Sequence, residues 1–279
     1  MKHLLYIVIA VCICSCSPKL APGTGDNDIS PLPDTAFVLV LSQNDRFNSN
    51  GNGRIATISS SENNKYPACT YEEIITKFKQ MARAQGANLV RISSYRKPAY
   101  KGDCDKITAK LYKVDNVKAY EQKFEWSAER KLTWDDFKGN PAFNKEPDVA
   151  ARTSCRFGIR IDTMYASGIR VVVTNEFICR QSSVRPERKT AALLAHEQLH
   201  FDLSEVYARL LRKQLANTQL TATNINKVST DAFLETYRIY KERQWAYDQE
   251  THHGLNAATQ ERWEETIRKE LAALAGYEN

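Results

Sequence analysis

The sequence predicts an α+β protein with two folded regions, and three observations support this fold class. Apolar residues make up 42% and charged residues 26% of the 279-residue chain, as is typical of a folded globular protein. Between residues 36 and 118, short apolar runs flank one segment of helical periodicity. From residue 119 onward, a β-rich segment precedes three long helical segments. The net charge is only +6, and no run of Lys and Arg is long enough to predict nucleic-acid binding.

The amino terminus has the pattern of an export signal. A short basic start precedes an apolar run from Leu4 to Ile13, which is too short to span a bilayer. Ile13 stands three residues before Cys16, and the small Ser15 stands directly before it, which resembles a bacterial lipobox. We therefore predict a lipoprotein signal peptide over residues 1–15 and a lipid on Cys16. An ordinary secretory signal cleaved nearby is the alternative.

Residues 16–35 are predicted to form a flexible tether between this lipid and the fold. The segment carries four prolines and two glycines, which interrupt regular structure. The protein would then be an exported lipoprotein of the bacterial cell envelope, at the outer membrane or facing the periplasm. Its contact with the membrane would be the lipid anchor.

Residues 36–118 are predicted to form a small α+β domain with one helix on a sheet. Apolar residues at Ile74, Ile75 and Phe78 indicate the helix, and Gly86 provides its stop. This region contains no His, and the sequence predicts no role for it. The predicted strands are Ala36–Ser42, Arg54–Ser59, Ala87–Ser94 and Ile107–Val114, and the predicted helix is Tyr71–Gln85.

Four cysteines follow the signal, and an even number in an exported chain favours two disulfides. Pairing within each predicted domain favours Cys69 with Cys104 and Cys155 with Cys179. Three connectivities are possible, and free buried thiols are a further alternative. No Cys-x-x-Cys spacing occurs, which argues against a four-thiolate zinc site.

Residues 119–279 are predicted to form the second domain, in which a β-hairpin leads into helices. Pro186 suits the first turn of the long helix, and Gly254 follows the end of the next one. The predicted hairpin strands are Arg156–Asp162 and Ile169–Ile178, and the predicted helices are Pro186–Ala216, Thr230–His252 and Thr259–Ala273.

The motif that indicates chemistry is H-E-x-x-H at residues 196–200. On a helix, His196 and His200 lie on one face, so both imidazoles can bind one ion. Glu197 is turned by about 100° from His196 and can act on a water without being a ligand. Two His ligands with a Glu general base are the zincin arrangement. A chance match is expected roughly 0.006 times in this chain. Two His residues satisfied by core hydrogen bonds are the alternative.

The end of the next predicted helix offers a third zinc ligand. A catalytic zinc site takes three protein ligands and keeps one position open. The candidates, in order of preference, are His253, Asp248 and Glu250. His253 comes first because imidazole suits zinc and Gly254 would let the chain turn tightly beside the site. The alternative is that His252 and His253 only interact with the dipole of the helix terminus.

Three segments of the second domain resemble the signature blocks of an uncharacterised bacterial family of secreted, predicted zinc-dependent proteases, which has domain-of-unknown-function status. They are LTWDDFKG (Leu132–Gly139), LLAHEQLHFD (Leu193–Asp202) and YDQETHHG (Tyr247–Gly254). The resemblance covers about residues 120–275 and implies a zincin-like fold. The resemblance implies that His196 and His200 bind zinc and that Glu197 is the general base. It also implies importance for Tyr247, Asp248, Thr251, His253 and Gly254 without fixing which of them binds metal.

Two further features qualify the resemblance. The region before residue 119 and the paired cysteines look like an elaboration found in Bacteroidetes-type lipoproteins. The metzincin extension is missing, because His200 is not followed by x-x-G-x-x-H. The sequence is therefore expected to be zincin-like without belonging to the metzincin subgroup.

Together, these features predict a zinc metallopeptidase with Zn²⁺ as cofactor and a peptide or protein as substrate. Glu197 would take a proton from the attacking water and pass it to the leaving amine, while Tyr247 or His252 would stabilise the oxyanion. Supporting positions are expected for Thr251 and His252, and a supporting or surface position for Asp202 and Glu205. In a supporting position, Asp202 would orient His200 or a neighbouring loop. The alternatives are a non-catalytic, zinc-containing envelope lipoprotein with a binding or structural role, and hydrolysis of a cell-wall peptide.

Overall fold

The computed structural model describes residues 19–21, 29–60, 70–97, 104–141, 149–165 and 168–278, and it confirms the α+β class. At residues 19–21, 162–165 and 168, the backbone alone is described. The chain divides into two compact units, Met1–Glu121 and Gln122–Asn279. The predicted signal peptide, the predicted lipidation site Cys16, and Cys69, the predicted disulfide partner of Cys104, lie outside the described residues.

The first unit consists of one sheet and one long helix. Its strands are β1 (Lys19–Ala21), β2 (Leu39–Leu41), β3 (Arg54–Ser59), β4 (Leu89–Arg96) and β5 (Lys106–Tyr112), and its helix is α1 (Tyr71–Ala84). The strand order is β1-β3-β5-β4-β2. β2 and β4 run parallel with Leu39 opposite Leu89, and the other neighbours are antiparallel. Each predicted strand of residues 36–118 corresponds to one of these strands.

The helix α1 begins at a capping box and buries one face against the sheet. The Thr70 hydroxyl accepts a hydrogen bond from the Glu73 backbone N–H, and the Glu73 carboxylate accepts one from the Thr70 N–H. Gly86, at φ +70°, takes the left-handed turn that follows the helix. The buried face consists of Ile74, Ile75, Phe78 and Ala82, which join the sheet residues in one core.

Part of the predicted tether belongs to the first unit. β1 pairs with β3, and Lys19 lies opposite Ser59. Leu32 donates its backbone N–H to the Arg83 carbonyl at 2.8 Å, and Ile29 packs directly against Gly86. The expectation of a flexible tether through all of residues 16–35 is therefore wrong at these positions, because Ile29 and Leu32 are half-buried apolar residues beside α1.

The second unit contains a long β-hairpin and three helices. Its strands are β6 (Lys123–Glu125), β7 (Ala151–Arg152), β8 (Cys155–Tyr165), β9 (Gly168–Ile178) and β10 (Ser183–Val184), and its helices are α2 (Ala191–Ala216), α3 (Ile225–Thr251) and α4 (Ala257–Ala273). β8 and β9 form the predicted hairpin, with β6 on the other side of β9. β7 and β10 form a separate antiparallel pair.

The helix α2 lies at the centre of the second unit. It contacts β8 and β9 on one side and α3 and α4 on the other. Residues 201–209 are all buried, which is typical of a helix surrounded by other elements. The α-helix begins five residues later than predicted, because Pro186 opens a short 3₁₀ turn and Thr190 is the actual N-cap. Among the helices in the described ranges, none is long and apolar enough to cross a membrane.

The predicted disulfide between Cys155 and Cys179 does not form in the described part of the chain. Cys155 lies opposite Phe177 in the hairpin, so Cys179 is two residues beyond the direct partner. Diagonal neighbours of this kind are about 7–8 Å apart, which is more than a disulfide spans. The Cys155 thiol instead lies 3.2 Å from the hydroxyl of Tyr240, and burial raises its pKa.

Candidate metal centre

The helix α2 places the two motif imidazoles one turn apart on the same face. The helix begins at Thr190, whose hydroxyl accepts the backbone N–H of Leu193 at 3.1 Å. The Nε2 atoms of His196 and His200 are 3.2 Å apart, and their rings meet edge to face. His196 is buried and His200 is half-buried, so both imidazoles face the interior of the second unit.

Asp248, on the last turn of α3, is the third residue of the cluster. Its Oδ1 atom lies 3.3 Å from Nε2 of His196 and 3.0 Å from Nε2 of His200. Within the described ranges, these three residues form a group whose potential ligand atoms all lie within 4.8 Å of one another. The structure therefore brings the second-ranked candidate, Asp248, to the two imidazoles.

The three donor atoms have a spacing that suits a small tetrahedral ion. Zinc bonds of 2.0–2.2 Å at tetrahedral angles place neighbouring ligand atoms about 3.3 Å apart. The three observed separations, 3.0, 3.2 and 3.3 Å, agree with this value. Two imidazole nitrogens and one carboxylate oxygen are also a donor set that zinc accepts. The residues present therefore fit a zinc ion.

The electrostatics of the cluster are those of a site that attracts positive charge. Burial favours the neutral acid of Asp248, but hydrogen bonds from His196 and His200 outweigh it and hold the pKa of Asp248 well below its usual value. Burial also lowers the pKa of His200, yet its hydrogen bond to Asp248 and the charge of Glu197 outweigh burial and raise that pKa above its usual value.

The chain turns sharply directly after α3. His252, His253 and Gly254 have φ values of +49°, +56° and +83°, so three consecutive residues are left-handed. A Cβ atom on Gly254 would lie 2.9 Å from Cβ and 3.0 Å from Cγ of His196. The turn therefore brings the backbone of residue 254 against the His196 imidazole, where only glycine fits.

This turn explains why the preferred third ligand, His253, is not in the cluster. The helix ends one residue before the left-handed run, so Asp248 faces the imidazoles while His253 projects outward with a side chain that is 71% exposed. Its Nδ1 atom is 3.7 Å from Asp248 Oδ1. Glu250 is also outside the cluster, because its carboxylate accepts a hydrogen bond from Trp263 at 2.9 Å.

Tyr247 and Thr251 support the cluster from inside the protein. The ring of Tyr247 stacks on His196 at 4.7 Å between centroids, and its hydroxyl donates to Gln260 Oε1 at 2.8 Å. Tyr247 is completely buried, and burial raises its pKa far above the usual value. A role for this hydroxyl in stabilising an oxyanion is therefore not supported. The Thr251 hydroxyl donates to the Tyr247 carbonyl at 2.7 Å and accepts the Gly254 N–H at 3.2 Å.

Two glutamines that the sequence did not single out contact the outer nitrogens of the imidazoles. Gln244 Oε1 on α3 makes a short hydrogen bond with Nδ1 of His200. Gln260 Oε1 on α4 lies 3.2 Å from Nδ1 of His196. The spacing of Gln244 four residues before Asp248 puts both on one face of α3, which is a usable sequence signal. Gln260 gives no such signal, since it lies on a different helix.

Glu197 is buried beside the imidazoles and is only 3% exposed. Its backbone carbonyl accepts a hydrogen bond from the Thr153 hydroxyl at 3.3 Å. Burial is the main cause of the raised pKa values of Tyr247 and Cys155, and the nearby Glu197 carboxylate adds to both. The Glu197 carboxylate therefore lies close enough to the cluster for its charge to act on His200.

Asp202 and Glu205 lie on α2, but their carboxylates contact residues other than His196 and His200. Asp202 accepts hydrogen bonds from Trp126 Nε1 at 2.7 Å and from Gln198 Nε2 at 2.8 Å, so it holds a neighbouring loop rather than His200. Burial raises its pKa. Glu205 is buried and pairs with Arg209 at 3.1 Å, which excludes the predicted surface alternative.

The comparison with protein families gives one result that bears on this site. Residues 141–254 match the model of a family described as a bacterial protein of unknown function, DUF922. The match spans less than half of the chain but contains His196, Glu197, His200 and Asp248, and it ends at Gly254. Searches of curated proteins and of solved structures gave no match. The match confirms the expected resemblance to an uncharacterised bacterial family.

Proposed function

We propose that this protein is a zinc-dependent hydrolase of peptide bonds. The observation that carries the proposal is the convergence of His196, His200 and Asp248 at the spacing of tetrahedral zinc ligands. The buried carboxylate of Glu197 directly follows the first ligand and adds the second part of the H-E-x-x-H pattern. The finer resemblance to secreted, zincin-like proteases agrees with both features.

Each residue then has a defined task. His196, His200 and Asp248 hold the ion, which when bound acidifies water and polarises a carbonyl group. The Glu197 carboxylate accepts a proton from the attacking water and later donates it to the leaving amine. Tyr247 packs beneath His196, and Gly254 leaves the space that the His196 ring occupies. The exposed His253, whose Nδ1 lies 3.7 Å from Asp248 Oδ1, is proposed to contact the substrate.

We also propose that the activity belongs to the bacterial cell envelope. The lipobox-like sequence before Cys16 supports a lipid anchor at the amino terminus. The substrate would then be a peptide or protein of that compartment, including the peptide part of the cell wall. The anchor can be tested separately by labelling cells with a fatty-acid analogue and comparing the wild type with Cys16→Ser.

The first experiment measures zinc and cleavage in the same preparation. The chain from residue 17 onward is purified, its metal content is measured, and it is incubated with a peptide library with and without a chelator. We expect about one zinc per chain and cleavage that the chelator abolishes. Stoichiometric zinc without cleavage of any peptide would favour the non-catalytic alternative, and absence of zinc would contradict the proposal.

The second experiment separates the base from the ligands. Glu197→Gln is expected to keep zinc and to lose hydrolysis by a factor of at least about 10²–10⁴, the contribution of general acid–base catalysis. Asp248→Asn is expected to weaken zinc binding itself, since it removes the charged ligand. Glu250→Gln is the matched control, because Glu250 is an acidic residue of the same helix whose carboxylate contacts Trp263. Wild-type cleavage by Glu197→Gln would show that the base is assigned wrongly.

A further inference from the structure

We propose that Gln244 and Gln260 are positioning residues that hold His200 and His196 in the orientation needed to bind metal. This inference rests on the proposed function, because it gives the two glutamines a task toward the zinc ion. The two glutamines come from different helices, Gln244 from α3 and Gln260 from α4, and each contacts one imidazole of α2.

The orientation of the Gln244 amide is fixed by two hydrogen bonds. Its Nε2 donates to the backbone carbonyl of His200 at 2.9 Å, so its Oε1 is the atom that faces the ring. Oε1 contacts Nδ1 of His200, which must therefore carry a hydrogen. One side chain of α3 thus holds both the backbone and the imidazole of His200.

The Gln260 amide is fixed in a similar way. Its Nε2 donates to Glu264 Oε1 at 3.1 Å, which leaves Oε1 to face the cluster. This oxygen lies 3.2 Å from Nδ1 of His196 and also accepts the hydroxyl of Tyr247 at 2.8 Å. The same Tyr247 ring stacks on His196, so the imidazole is held at its edge and on its face.

The consequence is that both imidazoles present Nε2 to the same point. With hydrogen on both Nδ1 atoms, loss of the hydrogens that the Nε2 atoms donate to Asp248 would leave both Nε2 atoms, 3.2 Å apart, and Asp248 Oδ1 with lone pairs directed into one small space. Three such atoms repel one another unless a cation or a proton lies among them. Each glutamine offers its amide oxygen as an acceptor to an Nδ1–H group without adding charge, whereas a carboxylate at either position would add negative charge to the site.

The test measures the zinc affinity of purified variants by competition with a chromogenic chelator. Gln244→Leu and Gln260→Leu remove the acceptor at nearly constant volume, and each is expected to weaken zinc binding by about 10- to 100-fold. Gln244→Glu keeps an acceptor oxygen and is expected to restore affinity to the wild-type value or above it. Gln198→Leu is the matched control, because the Gln198 amide bonds to the Leu132 N–H and to Asp202 rather than to an imidazole.

A second readout follows the imidazole hydrogens directly. In the zinc-loaded wild type, proton NMR should show two low-field imidazole N–H signals, one for each ligand His. Gln244→Leu should shift or remove the His200 signal alone, and Gln260→Leu the His196 signal alone. A merely structural role would not produce this one-to-one pattern. Tryptophan fluorescence checks that each variant is folded.

The possible outcomes are distinct. Wild-type affinity and unchanged N–H signals in both Leu variants would overturn the positioning role while leaving the zinc site intact. Equal losses in Gln244→Leu and Gln244→Glu would also overturn it, since the acceptor would then be irrelevant. A wild-type protein that binds no zinc would overturn the proposed function and this inference together.

Discussion

The two units of the chain differ in what they bury. Among the described residues of Met1–Glu121, the buried core is apolar and Glu121 is the single buried polar side chain. Fifteen polar or charged residues are buried in the part of the second unit whose side chains the structure describes, and they include His196, Glu197, Glu205 and Arg209. Burying such groups costs free energy unless each has a partner. In the second unit, many of these costly buried polar groups lie on or beside α2, where the candidate metal centre is located.

Spectroscopy can follow the second unit separately. All four tryptophans of the chain lie between residues 122 and 279, so tryptophan fluorescence reports the unfolding of that unit. Far-ultraviolet circular dichroism reports helices and strands of both. Together, the two signals distinguish the unfolding of the apolar first unit from that of the more polar second unit.

The largest effect is expected from a cavity in the apolar core. Phe78 is completely buried between α1 and the sheet, so Phe78→Ala should lower the free energy of unfolding by about 3–5 kcal/mol. Denaturant unfolding followed by circular dichroism measures this change. Phe37→Ala is the matched control, because Phe37 is 43% exposed and loses little packing. Equal effects of the two substitutions would contradict the assigned core.

A slightly smaller effect is expected from the buried ion pair of the second unit. Glu205 pairs with Arg209 at 3.1 Å and with Arg212 at 2.7 Å. Glu205→Gln removes the buried charge partner of Arg209 and leaves it only the more exposed Glu278, at 2.9 Å, so the change should cost about 3 kcal/mol, measured by tryptophan fluorescence. Glu235→Gln, in an exposed pair with Arg238, should leave the unfolding curve unchanged. If both variants unfold alike, burial does not set the strength of these pairs.

A pair of glycine substitutions isolates the contact with His196. Gly51 and Gly254 have nearly equal φ values, +82° and +83°, but a Cβ on Gly51 would meet nothing within 4 Å. Gly51→Ala should therefore show only the backbone cost, about 1 kcal/mol. Gly254→Ala should cost about 2 kcal/mol, because the new methyl group also presses on the imidazole. It should also weaken zinc binding, and unchanged zinc affinity would show that the ring can move away.

The smallest effect is expected from pH, which changes the stability of the zinc-free second unit. Without metal, the raised pKa of His200 stabilises the fold below the ordinary His pKa, and this stabilisation is lost as pH rises through the folded-state pKa. The lowered pKa of Asp248 stabilises the fold above the ordinary Asp pKa and is lost as pH falls through the folded-state value. The zinc-free second unit should therefore melt at the highest temperature in mildly acidic solution.

Zinc should reverse this dependence on the alkaline side. Protons and zinc compete for the same imidazole nitrogens, so the increase in melting temperature on adding zinc should grow as pH rises through the pKa of His200 and level off above it. Melting curves with and without zinc across a pH series measure it. An increase that is constant with pH would argue that zinc binds somewhere else.

Sequence reasoning predicted the elements of both units well because local signals determine them. The capping box at Thr70, the apolar spacing of α1 and the glycine stop at residue 86 are all local. The same holds for the hairpin and for the i, i+4 spacing of His196 and His200. Each of these features depends on neighbours within a few residues, which the sequence displays directly.

The sequence could not decide features that depend on how elements pack. Asp248 and His253 were both candidates, and the choice depends on the residue at which α3 ends and on the left-handed turn that follows. The contact of Gln260 with His196 joins residues on two separate helices. The distance between Cys155 and Cys179 depends on hairpin register, which shifts the partner of Cys155 to Phe177.

The candidate metal centre draws on three helices, with His196 and His200 from α2, Asp248 and Gln244 from α3, and Gln260 from α4. An ion at this point would crosslink His196 and Asp248, which lie about fifty residues apart in the chain, and Gln260 would connect α4 to the same point. We therefore expect metal loading to slow amide hydrogen exchange in all three helices together, including α4, which supplies no ligand. Removing the ion would then increase amide hydrogen exchange in α2, α3 and α4 together.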